Sequence, residues 1–357
     1  MSWCLITARV EPTRIRLSQE VGSVAPPAPN AEPPVRFPKL TYLRIRTVLA
    51  PPSGTIVPDF LGATLRGAMG HALLDMVCRI PEEKRHQTPC ESCVFRGACV
   101  YGRLARRPIE GPVPPRYKGN DKPPRPYVLD VPPPLTTDGM LRDVSGGIAV
   151  QVTLFGDVVG AAAYVTKALA TAASAGLGSR RTPYSVLEQS WQRTDGTWDA
   201  IDTEAPLPER LSHFVQHLTY EVEAARALRL HLMTPTQITR LGHHAEDAWP
   251  WELALSSICR VHELAHFYEP GSHIDWDWSA LKHNALTTEL RVNKTEIWKG
   301  RKLSGSQKQF IPLEGLVGTL DLHDVTPDVF AYLRAAEVVH LGKKASHGLG
   351  RVRVEPL

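Results

Sequence analysis

Near its C-terminus the chain reads GKKASHGLGR, Gly342 to Arg351, with three glycines, two lysines, an arginine and a histidine in ten residues. Glycines let a turn aim its backbone N–H groups at an anion. Lys343, Lys344 and Arg351 add the charge that a phosphodiester backbone attracts, and Gly342, Gly348 and Gly350 leave room for its approach. On spacing alone the same ten residues also describe a tight turn with solvated lysines. A shorter relative, GLGSRR, ends in Arg180 and Arg181. Between them lies RVNKTEIWKGRKLSGSQK, in which Lys299, Arg301, Lys302 and Lys308 follow Trp298. That tryptophan is either a platform for a stacked base or a core residue of a hairpin.

Two patterns suggest metals. Cys90 and Cys93 have the two-residue gap of a zinc knuckle, and Cys78 and Cys99 flank them. Four thiolates close a tetrahedral site with no open position, so such zinc is structural; His86 is an alternative to Cys78 as the fourth ligand. Unpaired thiols are the plain alternative. HELAH, His262 to His266, fits the zinc-peptidase pattern. Yet Gly271 and His273 follow His266 by five and seven residues, not the three and six of a metzincin, and we read the match as coincidental.

The elements that must position these residues follow from the hydrophobic pattern. The chain has 357 residues, 43% hydrophobic and 22% charged, and a formal net charge of +4. That describes a globular protein long enough for two cores, and its mild basicity permits a polyanionic partner without requiring one. No window resembles a membrane span, the start is too short for a secretory signal, and the clustered cysteines suit a reducing compartment. The expectation is a cytoplasmic protein. Residues 1–38 are a proline-rich leader. LTYLRIRTVLA predicts a strand, and Phe60, Leu61, Leu65, Met69, Leu73 and Met76 recur at helical spacing. With PYVLDV, GGIAVQVTLFG, an Ala-rich helix and PYSVLEQSWQ, the first half reads β-α-β-β-α-β. ALRLHLMTPTQI, WPWELALSSICRVHELAHFY, NALTTELRVNKTEIW, LEGLVGTLDL, TPDVFAYLRAAEVVH and GRVRVEP repeat the order. The expected fold is α+β: two tandem ferredoxin-like (RRM-like) domains with antiparallel sheets, residues 39–215 with a Cys-rich zinc insertion at 78–101, and residues 216–357 with the glycine-rich loop 342–350.

With these segments on the page, the chain resembles a known family. LEGLVGTLDL, LRAAEVVHLGKKASHGLGRVRV and WKGRKLSGSQKQ look like the C-terminal domain of the CRISPR-associated endoribonucleases that process precursor CRISPR RNA, members of the RAMP superfamily. FLGATLRGAMGHALLDMVC, CESCVFRGACVY and RPYVLDVPPP resemble the N-terminal half of one branch. The resemblance implies a metal-independent endoribonuclease that binds CRISPR repeat RNA and cleaves it through the 2′-hydroxyl, yielding guide crRNAs. It places a catalytic histidine near the first helix, where His71 is the best match. His347 is the second candidate, and Lys343 or Lys344 would stabilise the transition-state charge. Arg66 joins the RNA-contacting set. The alternative is a non-catalytic RAMP subunit that holds guide RNA, and other effector subunits are possible partners. A zinc peptidase using HELAH is the third reading.

Overall fold

The structure, a computed structural model, describes residues 37–357 except 56, 58, 59, 86, 110–121, 134–146, 179, 202–210, 220–225, 241, 242, 273–277 and 304–309. The leader up to residue 36, His86 and Lys308 therefore lie outside the described residues.

The first half contains β1 (Thr41–Ala50), α1 (Gly62–Val77), α2 (Val100–Ala105), β2 (Tyr127–Asp130) and β3 (Ile148–Phe155). Then come α3 (Ala162–Ala175), β4 (Ser185–Gln192), β5 (Trp198–Ala200) and β6 (Gln216–His217). Its sheet runs β2-β3-β1-β4-β5, with β6 pairing to β1. Leu43, Ile45, Thr47 and Leu49 of β1 point inward, alternating with half-buried Arg44, Arg46 and Val48, as the two-residue period of a strand demands. α1 lays Leu65, Met69 and Leu73 against this core, and α3 packs beside it. Gly156–Ala175, α3 with the turn before it, has the length and hydropathy of a membrane span, but half of that window is buried inside the fold. It is a core helix of this layer.

The second half contains β7 (Leu228–Thr236), β8 (Thr239–Arg240), β9 (His243–His244), α4 (Pro250–Tyr268) and α5 (Trp278–Leu286). β10 (Glu289–Leu303), β11 (Phe310–His323), α6 (Pro327–Val339) and β12 (Val352–Pro356) complete it. Its sheet runs β10-β11-β7-β12, all antiparallel. In both sheets the first strand lies between the third and the fourth, the order β2-β3-β1-β4 recurring as β10-β11-β7-β12. Tandem ferredoxin-like units are the fold, as the repeated strand-helix pattern predicts.

Two local expectations change. Residues 278–286, whose last part the sequence suggests as strand, form α5, because Leu281 and Ala285 at helical spacing are buried in the core. β10 keeps the fifteen residues expected of its segment but lies five residues further along, and β11 runs to fourteen residues where ten were expected, the two forming one long antiparallel pair.

Candidate nucleic-acid interface

The glycine-rich loop is the joint between the two sheets. Ala345 to Gly350 are all buried, whereas Lys343 and Lys344 stay half-buried. A Cβ on Gly62, at the start of α1, would lie 1.8 Å from the carbonyl oxygen of His347, so only glycine lets the helix meet the loop backbone. Gly350, at φ +74°, is likewise pressed on the carbonyl of Leu341. Gly348 packs against Val131 and Leu129 beside β2. These glycines are thus accounted for by packing across the joint, which sequence spacing could not separate from anion binding. The joint also includes Tyr268 donating to the Pro124 carbonyl at 2.5 Å, and the Thr41 N–H and hydroxyl donating to Glu269 Oε2 at 2.9 and 2.8 Å.

A polar contact that sequence reading missed locks the same region. His340, fully buried at the end of α6, has Nε2 3.0 Å from Asp130 Oδ1 and Nδ1 3.0 Å from the Leu349 carbonyl oxygen. Arg351 Nε lies 3.3 Å from Asp130 Oδ1, and Gln151 Nε2 donates to Oδ2 at 2.7 Å. Burial pushes the Asp130 carboxyl up, but His340, Arg351 and Arg44 more than reverse this and hold it below its ordinary value. His340 sits at φ 63°, ψ 162°, a backbone conformation that side-chain-bearing residues rarely adopt. Its two hydrogen bonds hold it there. The signal in the sequence was faint: an aspartate in a proline-flanked strand and a histidine at a helix end, 210 residues apart.

On the other side of the loop, Lys343 and Lys344 crowd together near His244 and Glu314. The backbone N–H of Lys343 donates to the Gln237 carbonyl at 3.0 Å. The Gln237 amide donates to the Glu314 carbonyl at 3.1 Å and lies 3.2 Å from His244 Nε2. Burial and the neighbouring Lys344 push Lys343 down from 10.5 to about 8. Burial lowers Lys344 as well, with Glu314 opposing. His244 is lowered by burial, Glu314 opposing and the two lysines adding. Two ammonium groups partly removed from water beside one carboxylate favour an incoming anion.

The two candidate catalytic histidines are not brought together. His347 is buried beside Gly62, whereas His71 is exposed nine residues further along α1. Nine residues carry it about 13 Å along the axis and half a turn around it. Arg180 and Arg181 are exposed in the turn before β4, and Lys299 is exposed on β10. Arg301 and Lys302 follow in the same strand. Arg66 lies on α1 one turn after Gly62, and Arg351 is engaged with Asp130. Trp298 is buried, its ring lying over Gly300 and 5.8 Å from that of Phe60, so it serves the core and not an open stacking surface. His262 of HELAH is buried, with Nε2 2.6 Å from the Tyr332 hydroxyl, and His266 packs on Phe267.

Cys78, Cys90, Cys93 and Cys99 line one cavity of about 800 Å³, and none forms a disulfide. Burial pushes the Cys90 thiol up, Arg106 opposes this, and Glu91, Cys78 and Cys99 add to it. The donor set suits zinc, although among the described residues no group of three or more His, Cys, Asp or Glu side chains is drawn into a ligand cluster.

A basic loop set into the joint of two ferredoxin-like units defines a tandem ferredoxin-like protein with a cationic interface. Residues 230–352 match the family model of the CRISPR-associated endoribonuclease Cas6, and residues 40–209 match a model described as an N-terminal domain. Over residues 230–352 the chain is therefore similar to the Cas6 endoribonucleases. Among solved structures it is similar to a Cas6 product complex, at 18% identity over 90% of this chain and 99% of that one, with a TM-score of 0.48. Cas6 of Thermus thermophilus is similar at 14% identity, covering 89% and 98%, TM-score 0.45. A Cas6-related protein of Pyrococcus furiosus is similar at 10% identity, covering 88% and 98%, TM-score 0.45. No curated protein matches the chain by sequence.

Proposed function

We propose that this protein binds CRISPR repeat RNA and cleaves the precursor transcript into crRNAs by attack of a ribose 2′-hydroxyl on the adjacent phosphate, with no metal ion in the chemical step. The reading rests on the endoribonuclease family match over residues 230–352. The observation that carries it is the Lys343–Lys344 pair, held half-buried by the loop beside the joint. The attack needs a group to take the 2′-hydroxyl proton, a group to protonate the leaving 5′-oxygen, and charge to steady the phosphorane. His71 is the histidine that α1 leaves open to RNA, and it carries a proton-transfer role. His347, buried at the joint, orders the loop, and Lys343 supplies charge. The peptidase reading gains no support, since His262 is spent on Tyr332 inside the core.

The lysines make a pH-dependent prediction. Lys343 falls from 10.5 to about 8 on folding, so between those values the unfolded chain holds a proton that the folded chain has released. From this group the stability of RNA-free protein rises with pH across that window. Bound phosphate favours the ammonium form, so affinity for repeat RNA should decline as pH rises through about 8. Changing Lys343 and Lys344 to Ala should remove that dependence and lower the log–log salt slope of binding by about 0.7–0.9 per lost phosphate contact. Filter binding across pH and salt checks both; an unchanged slope would place the lysines away from RNA.

The cysteine segment carries a second, separate proposal. Between Cys78 and Gly102 the described residues include no buried side chain, with Val94 89% exposed, so packing alone does not explain why four thiols share a cavity. Zinc bound by Cys78, Cys90, Cys93 and Cys99 supplies the missing cohesion. Purified protein should contain about one zinc per chain by elemental analysis. Cys90→Ser with Cys93→Ser should lose it and expose the segment to protease. Metal-free protein with the same protease resistance as the metal-loaded form would rule this out.

A further inference from the structure

Five arginines gather where α1, α2 and the approach to β2 meet: Arg66, Arg103, Arg106, Arg107 and Arg125. Three have counter-charges. Asp157 accepts from Arg107 at 2.7 and 2.8 Å and forms an ion pair with Arg103 at 3.3 Å, and Glu91 takes Arg106 at 3.1 Å. Arg107 also lies 4.8 Å above the ring of Tyr268. Among the described residues no carboxylate pairs with Arg66 or Arg125, and the buried Nε of Arg66 has no hydrogen-bond partner. Arg125 is half-buried, and burial, with Arg66 and Arg106 adding, lowers its guanidinium from the ordinary value. Among the described residues these two neighbouring cations, partly out of water, have no counter-anion, and such a pair favours an incoming one.

The position of the pair gives the ligand its class. Arg66 follows Gly62 by one helical turn, so it lies over the side of α1 that meets the His347 carbonyl. Arg125 stands two residues before β2, which packs against the 345–347 turn of the same loop. Guanidinium groups bind phosphate through paired N–H donors. We infer that Arg66 and Arg125 form a phosphodiester-binding subsite on the N-terminal side of the joint, which holds the RNA backbone away from the scissile bond. This rests on the RNA-processing reading above. His71 lies on another face of α1, so the subsite positions RNA and takes no part in proton transfer.

The test compares Arg66→Ala, Arg125→Ala and Arg125→Lys with wild type and with the Lys343→Ala/Lys344→Ala variant, using repeat RNA. Each alanine variant should weaken binding about tenfold or more and reduce the salt slope by about 0.7–0.9. The single-turnover rate on saturating RNA should stay within about twofold, an effect on KM and not on kcat. RNA-free protein should melt at the same or a higher temperature, because an uncompensated cation has been removed. Arg125→Lys keeps the charge and should keep the slope while losing part of the affinity. A lower melting temperature with unchanged slope makes these arginines structural and overturns the inference. If the lysine variant changes the slope and the arginine variants do not, this inference fails and the RNA reading stands. Wild-type protein with no affinity for the repeat overturns both.

Discussion

Repeat RNA carrying a single deoxyribose before the scissile phosphate should bind and remain uncut. The substitution removes one nucleophile and leaves the phosphates, bases and the lysines that meet them in place. Unmodified repeat should be cut in excess chelator, leaving a 2′,3′-cyclic or 3′-phosphate upstream and a 5′-hydroxyl downstream, since a nuclease that activates water through an ion would stop when the ion is removed. His71→Ala should slow single-turnover cleavage about 10²–10⁴-fold with little change in affinity, the usual share of one general acid or base. The exposed position of His71 on α1 makes a folding defect a poor explanation for such a loss. Cutting of the deoxy-substituted RNA at the same phosphate would end the 2′-hydroxyl mechanism. Cleavage that survives His71→Ala and not His347→Ala would move proton transfer to the loop, and tight binding with no cleavage of the cognate repeat would favour a guide-RNA holder.

Asp130→Ala should destabilise the protein by about 3–5 kcal/mol, because it leaves buried His340 without its partner and Arg351 without its counter-charge. Both ring nitrogens of His340 face oxygens that only accept, and removing the carboxylate leaves Nε2 buried without its partner. Denaturant unfolding measures the loss. The pH dependence has a definite sign. The folded carboxyl lies below its ordinary value, so its contribution is present at neutral pH and is lost as the solution is acidified from about 4 toward the lower folded value. Asp130→Asn, close in shape but uncharged, should be less stable at neutral pH and should lack that part of the acid dependence. An Asp130→Ala protein as stable as wild type would show that the joint is held by apolar packing and the close backbone contact at Gly62 instead.

The strands and helices of both units were legible in the sequence because their hydrophobic periods are local: alternation marked strands such as β1, β3, β7 and β12, a short apolar run between prolines marked β2, and helical spacing marked α1, α4 and α6. The repeat of that order gave the tandem fold, and the charged residues of the C-terminal loop were visible as a group. Short elements such as α5 were not, since Leu281 and Ala285 offer too few apolar positions to set a period until the core covers them. Only the tertiary structure decided which meanings the motifs took. A glycine reads alike whether it clears a phosphate or another backbone, and it was the approach of His347 to Gly62 that gave the loop its place in the joint. A tryptophan among cations reads equally as a stacking surface or as core until Phe60 is packed on it. The spacing around HELAH already argued against a metal site, and Tyr332, 70 residues on, takes its His262. The Asp130–His340 pair and the nearness of Arg66 to Arg125 share one reason for being hidden. Electrostatic partners are set by distance in space, and no local period in the sequence encodes a contact between residues scores of positions apart.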